Sequence, residues 1–215
     1  MIRLAKPQGY VILSPSRQQV ANQAAAECLP LIFEPKSRFY TSPVLVLDFQ
    51  SLYPSQIIAH NLCYSTCLGR ISRSIEKRFG TTVLQVRREM LRQLEDHLFI
   101  SPNAVMFTRK ETRAGVLPRM LQEVLTTRVM VKNAMKQVGE SDKTLYRMLD
   151  YRQLALKLLA NVTYGYTSAS FSGRMPCVDI ADTIVQSGRE TLERAIRIVE
   201  AEWNAEGTRW MILYD

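Results

Sequence analysis

The strongest constraint in this 215-residue chain is a pair of helical patterns with almost nothing between them. Leu117, Met120, Leu121, Val124, Leu125 and Val131 recur at helical spacing from just after Gly115 to about residue 137. A second pattern starts at Lys143 and runs through Leu145, Met148, Leu149, Leu154 and Leu158 towards Asn161. Only Val138-Gly139-Glu140-Ser141-Asp142 separates them, so the two helices must fold back as an antiparallel hairpin.

The rest of the chain must supply the base. The opening thirty residues alternate short apolar and polar pieces and read as extended connecting chain. Pro43-Val44-Leu45-Val46-Leu47 is a continuous apolar run of β-formers, expected as a buried central strand ending at Asp48. Ser51 to Ser55 punctuates it, and a helix can start at Gln56-Ile57-Ile58-Ala59-His60-Asn61. Residues 83–98 suggest a basic amphipathic helix. Gly165 and Thr167-Ser168-Ala169-Ser170 should break the second hairpin helix. A third helix is expected over Val178 to Trp203, then a strand at Trp210-Met211-Ile212-Leu213-Tyr214 that stops at Asp215. The fold class is α+β, a small sheet with helices and a helical hairpin projecting from it.

Charge is concentrated in the middle third. Residues 61–150 hold sixteen Lys and Arg against nine Asp and Glu, a net +7, whereas residues 1–60 carry +2 and residues 151–215 carry −1. That stretch suits a partner rich in phosphate, or it is a solvated helical face. With 47% hydrophobic and 22% charged residues, disordered and collagen-like chains are excluded. The uncharged stretch Leu158 to Gly173 is rich in Thr, Ser, Asn and Gly and does not read as a membrane span. Met1-Ile2-Arg3-Leu4 leads to no apolar segment of the kind a secretory signal needs. Four cysteines (Cys28, Cys63, Cys67, Cys177) with only His60 and His97 argue against a closed zinc site and for buried thiols in a reducing compartment.

Two places carry potential chemistry. Asp48, at the end of an apolar run and before a Pro-containing turn, is either a helix cap or an oxygen ligand for Mg²⁺. Arg128 and Lys132 are four apart on the first hairpin helix, as are Lys157 and Asn161 on the second. About the turn they are offset by roughly four residues, or ~6 Å along the helices. They can converge on an extended anion of triphosphate size, or occupy a solvated face by chance.

These residues stand in recognisable surroundings. Asp48-Phe49-Gln50-Ser51-Leu52-Tyr53-Pro54-Ser55 resembles the first polymerase motif of family B DNA polymerases, DxxSLYPS. Gln153-Leu154-Ala155-Leu156-Lys157, followed by Asn161-Val162-Thr163-Tyr164-Gly165, resembles their fingers motif, QxAxKxxxNSxYG, in order and spacing. Gly173-Arg174-Met175-Pro176-Cys177 and Gly188-Arg189-Glu190 are similar to segments that follow it. Val162 replaces the usual Ser, and Gln56 the usual Ile after Tyr-Pro-Ser. Ser37-Arg38-Phe39-Tyr40 and Phe171-Ser172-Gly173 resemble the translesion branch of the family, while Ala59 to Tyr64 suits replicative members equally well.

The resemblance implies a palm with a small antiparallel sheet and a fingers hairpin. Residues 1–110 would be connecting segment and first palm part, 111–165 the fingers, and 166–215 the second palm part. It further implies two Mg²⁺ ions, with Asp48 and the Phe49 carbonyl as ligands. Ser51 and Leu52 would meet the triphosphate where the chain turns, and Tyr53 would lie under the incoming sugar. Arg128, Lys132, Lys157 and Asn161 would contact the triphosphate, with Lys157 also a proton donor to the leaving pyrophosphate. Tyr164 and Gly165 would pack along the nascent base pair. Read without the resemblance, Tyr53 and Tyr164 are equally core aromatics and Gly165 a helix C-cap.

Implied partners are primer-template DNA, deoxynucleoside triphosphates and accessory polymerase subunits, in the nucleus and away from membranes. The second catalytic Asp of the family would fall beyond Asp215, so a palm-fingers portion of a larger enzyme, inactive alone, is expected. A replicative relative, a non-catalytic nucleotide- or DNA-binding remnant, and a basic scaffold for partner subunits are the alternatives.

Overall fold

The structure is a computed structural model that describes residues 1–27, 30, 32, 34, 36–71, 78–83, 86–138, 142–169 and 173–205. Cys28, the centre of the hairpin turn, Phe171-Ser172, the strand expected at Trp210–Tyr214 and Asp215 lie outside the described residues. The elements in chain order are α1 (Ile2–Ala5), α2 (Arg17–Ala21), α3 (Leu52–Ala59), β1 (Cys67–Arg70), β2 (Arg78–Phe79), β3 (Thr82–Val83), α4 (Arg88–Gln93), β4 (Leu98–Ile100), β5 (Val105–Thr108), α5 (Val116–Val138), α6 (Lys143–Ser168) and α7 (Val178–Ala205).

The α+β class holds, as a mainly helical fold with small antiparallel sheets. One sheet has the order β1-β5-β4, with Arg70 opposite Val105 and Phe99 opposite Phe107. A second pairs β2 with β3 through Arg78 and Val83. The core lies where the three-stranded sheet, α3, the start of α5 and the first half of α7 meet. Ile57, Leu62, Val105, Phe107, Leu121, Ile180 and Ile184 are fully enclosed there.

The hairpin forms as its periodicity requires. Asp142 caps α6, its Oδ1 accepting from the Thr144 and Leu145 amides at 3.0 Å. The Arg128 Nε donates across the pair to Gln153 Oε1 at 3.4 Å. In residue number these two are equally distant from the midpoint of the turn, which fixes the antiparallel register. At its base, α5 is capped by another part of the chain. The amides of Gly115, Val116 and Leu117 donate to Asn61 Oδ1 (2.9 Å), Ser65 Oγ (3.5 Å) and Cys63 Sγ (3.3 Å). Three alternate side chains after α3 thus take up amides that a helix start leaves without partners.

Four expectations need correction. Val44 to Leu47 is not a buried strand: these residues are 52%, 54%, 82% and 63% exposed and belong to neither described sheet. An apolar run becomes a strand only where a partner offers a ladder, and no described strand lies beside it. The helix expected over 83–98 shrinks to α4, because Val83 pairs in β3 and Leu98–Ile100 in β4. The opening segment is not all extended. Ser16 and Gln19 form a reciprocal capping box that starts α2.

Finally, α6 runs unbroken through Gly165 to Ser168. The hydroxyls of Thr163, Thr167 and Ser168 donate back to the carbonyls of Leu159, Tyr164 and Gly165, so the polar run is satisfied within the helix. Cys63, Cys67 and Cys177 are free and buried, as expected. Among the described residues no helix is long and apolar enough to cross a membrane.

Candidate nucleotide-binding site

Ser51 sets the geometry of the site. It adopts a left-handed backbone (φ 57°, ψ 53°) that swings the chain from the extended segment directly into α3. For a residue with a Cβ this costs roughly 1 kcal/mol. The turn is held by the Ser55 amide on the Ser51 carbonyl (2.9 Å) and by Ser55 Oγ on the Gln50 carbonyl (3.3 Å).

Gln50, Ser51 and Ser55 form one wall of an open cleft of about 220 Å³. The other wall is α5, which contributes Thr126, Arg128 and Lys132 among others. Arg128 is half-buried and oriented by Gln153, whose Nε2 donates in turn to Asp150 Oδ1 at 3.0 Å. Neither Arg128 nor Lys132 forms an ion pair among the described residues. Two cations and three hydroxyls thus face one cleft, groups of the kind whose N–H and O–H bonds phosphate oxygens accept from.

Beside the cleft, the Tyr53 ring lies against Tyr164, with centroids 4.7 Å apart and planes inclined by 35°. Burial raises the Tyr53 phenol above its ordinary pKa, so the group is neutral at physiological pH. Lys157 and Asn161 are exposed on α6 and do not line the cleft. Gly165 is exposed too, and a Cβ there would meet nothing within 4 Å. Asp48 and Phe49 sit on the exposed chain just before the Ser51 turn.

The donor set for a metal is incomplete here. Asp48 and the Phe49 carbonyl are oxygen donors of the right kind for Mg²⁺. Among the described residues, however, no group of three or more His, Cys, Asp or Glu is placed to hold a metal ion.

Sequence reasoning assigned no structural role to three residues that shape this region. Gln56 is buried, its Nε2 donating to Thr191 Oγ1 at 2.9 Å on α7. Asn61 is buried with a left-handed backbone (φ 55°) and ties the base of α5 to the end of α3. Gly188 abuts Tyr53 and Leu52 from α7. The available signals were a polar residue where the family has Ile and a glycine inside an otherwise regular helix.

Comparison with known proteins defines the class first: the sequence model of DNA polymerase family B matches residues 1–212, and the chain belongs to that family. Its relatives are more particular. It is 54% identical over 207 residues to the DNA polymerase zeta catalytic subunit of Arabidopsis thaliana, covering 95% of this chain and 11% of that protein. With the DNA polymerase zeta catalytic subunit of Homo sapiens it shares 54% over 210 residues, 95% of this chain and 7% of the relative. The chain therefore spans only a small part of the length of these relatives. Among solved structures, the family B DNA polymerase of Pyrobaculum calidifontis aligns over the whole chain and 24% of its own, with a TM-score of 0.61 and 24% identity. That likeness establishes the fold.

Proposed function

We propose that this chain is the nucleotide-binding palm and fingers of a template-directed DNA polymerase of the zeta type, which extends primers during translesion synthesis. The observation that carries the reading is the cleft between Ser51 and the Arg128–Lys132 face of α5. Residues 111–165 are the fingers in this reading, and the segments 1–110 and 166–215 the palm.

The triphosphate of an incoming deoxynucleotide lies in the cleft, with its oxygens on Arg128, Lys132, the Ser51 hydroxyl and the amides at the start of α3, including that of Leu52. Tyr53 supports the sugar, and Tyr164 with Gly165 borders the nascent base pair. Lys157 and Asn161, exposed on α6, approach the triphosphate from the second hairpin helix, where Lys157 can donate a proton to the leaving pyrophosphate. Asp48 and the Phe49 carbonyl would hold divalent cations. Those ions supply, when bound, activation of the primer hydroxyl and neutralisation of the leaving pyrophosphate. Primer-template DNA and accessory subunits are the partners of the complete protein.

Primer extension by the complete protein tests this. Asp48→Ala should lower the rate by three orders of magnitude or more while leaving primer-template affinity within about twofold. Undiminished extension by the variant would sink the reading.

A further inference from the structure

Gly188 lies midway along α7, directly behind Tyr53. A Cβ built at Gly188 would lie 3.1 Å from Tyr53 Cε1, 3.4 Å from Cδ1 and 3.6 Å from Leu52 Cδ2. The first distance is tighter than ordinary packing allows, so the ring would have to shift by a few tenths of an ångström. It cannot shift freely, because Tyr164 lies on it with centroids 4.7 Å apart.

The surrounding contacts make α7 a fixed reference. Gln56 Nε2 donates to Thr191 Oγ1 (2.9 Å), which ties α3 to α7 one turn beyond Gly188, and Thr191 Oγ1 donates in turn to the Ser187 carbonyl within α7 (2.9 Å). Gly188 is buried, and its neighbours Ser187, Val185 and Ile184 are buried with it. A helix interior favours Ala over Gly by about 1 kcal/mol, so local propensity does not explain the glycine. Room for the Tyr53 ring does.

We infer that Gly188 is a positioning residue for sugar selection: its missing side chain forms the hollow in which Tyr53 seats, and that seat sets how closely the ring approaches a nucleotide sugar. The inference rests on the proposed placement of the sugar over Tyr53. A methyl group at Gly188 drives the ring away from α7 towards Tyr164 and the sugar. Exclusion of a 2′-hydroxyl then tightens, and deoxynucleotide binding weakens through the same displacement. The chemical step, which Gly188 does not touch, is left unchanged.

The test compares single-nucleotide incorporation of deoxy- and ribonucleotides by the complete polymerase and by Gly188→Ala, Tyr53→Ala and the double variant. Each protein also carries a fluorine reporter as 3-fluorotyrosine at position 53 where that tyrosine is present. Gly188→Ala should raise the deoxy/ribo preference about three- to tenfold, raise KM for the deoxynucleotide and leave kcat within about twofold. The ¹⁹F resonance at Tyr53 should move, and adding Gly188→Ala to Tyr53→Ala should change nothing further.

An unmoved resonance with an unchanged preference in Gly188→Ala, while Tyr53→Ala loses selectivity, overturns the seat and keeps the sugar placement. A moved resonance with selectivity intact in Tyr53→Ala overturns the sugar placement, and with it the role in selection. Should Gly188→Ala alone fail to fold, the double variant must fold, because the methyl group then has no ring to meet; its failure overturns the inference as well.

Discussion

Asn61 Oδ1 accepts the Gly115 amide at 2.9 Å while its Nδ2 donates to the carbonyls of Thr108 and Arg113, both at 2.8 Å. One buried carboxamide thus joins the end of α3, the end of β5 and the base of the long hairpin. Its left-handed backbone (φ 55°) suits Asn better than residues other than Gly. Asn61→Ala leaves three polar groups without their partner and should destabilise the protein by about 3 kcal/mol. Urea unfolding measures the loss, and hydrogen exchange should quicken at the amides of residues 115–117. A loss under about 1 kcal/mol would show that the clamp is dispensable.

Gln56 presents the opposite case. Its Nε2 is satisfied by Thr191, but its Oε1 is buried without a hydrogen-bond partner among the described residues. Replacing it by Ile, the residue usual in the family, removes the orphaned oxygen. Thr191 keeps its bond to the Ser187 carbonyl. Gln56→Ile should therefore leave stability unchanged or raise it by about 1 kcal/mol. A fall of similar size in the urea midpoint would mean that the Gln56–Thr191 bond outweighs the orphan.

The helices were legible where a short-range rule decides them. The hairpin follows from period and turn length, whereas α2, expected as extended chain, starts at the reciprocal Ser16–Gln19 capping box. Residues 44–47 and 83–98 were misread because strand formation depends on a partner distant in sequence, which local pattern does not contain. The Ser51–Arg128–Lys132 cleft was half legible. Four-residue spacing gave the cationic face, whereas its meeting with Ser51 depends on how α3 docks against α5. Asn61, Gln56 and Gly188 act through contacts with residues 54, 135 and, for Tyr53 and Gly188, 135 positions away. No local signal carries such information.

Stability should be greatest between about pH 6.5 and 9. His60 stacks on Phe99 with centroids 4.2 Å apart, and burial, only partly offset by Glu190, lowers its pKa. The unfolded chain therefore takes up this proton first, and stability falls as pH drops through and below the ordinary His value. Burial pushes the Cys177 thiol up to about 12, and also raises Cys67 and Tyr64. The unfolded chain loses these protons first, so stability declines as pH rises from about 9 towards the raised values. Unfolding free energies across pH 5 to 10 check both limbs. His60→Gln should flatten the acid limb alone. A thiol reagent at pH 8 should label Cys63, Cys67 and Cys177 only after unfolding.

The cations around the cleft should not contribute equally to nucleotide binding. Arg128 is half-buried, lines the cleft and is oriented by Gln153, so a phosphate meets a guanidinium already in place. Among the described residues Lys132 lines the same wall without such a partner, and Lys157 is exposed on α6 outside the lining. Arg128→Ala should weaken binding of a Mg²⁺-deoxynucleoside triphosphate by about tenfold or more, the scale of one charge-assisted hydrogen bond. Arg128→Lys should recover part of that loss, because the charge remains while the planar fork is gone. Lys132→Ala and Lys157→Ala should each cost several-fold, with Lys157 the more sensitive to salt because its charge is the more exposed. Titration calorimetry at two ionic strengths separates these cases. Equal affinity of Lys157→Ala and the parent protein at low salt would remove Lys157 from the site. A larger loss for Lys157→Ala than for Arg128→Ala would show that α6, and not the cleft wall on α5, holds the triphosphate.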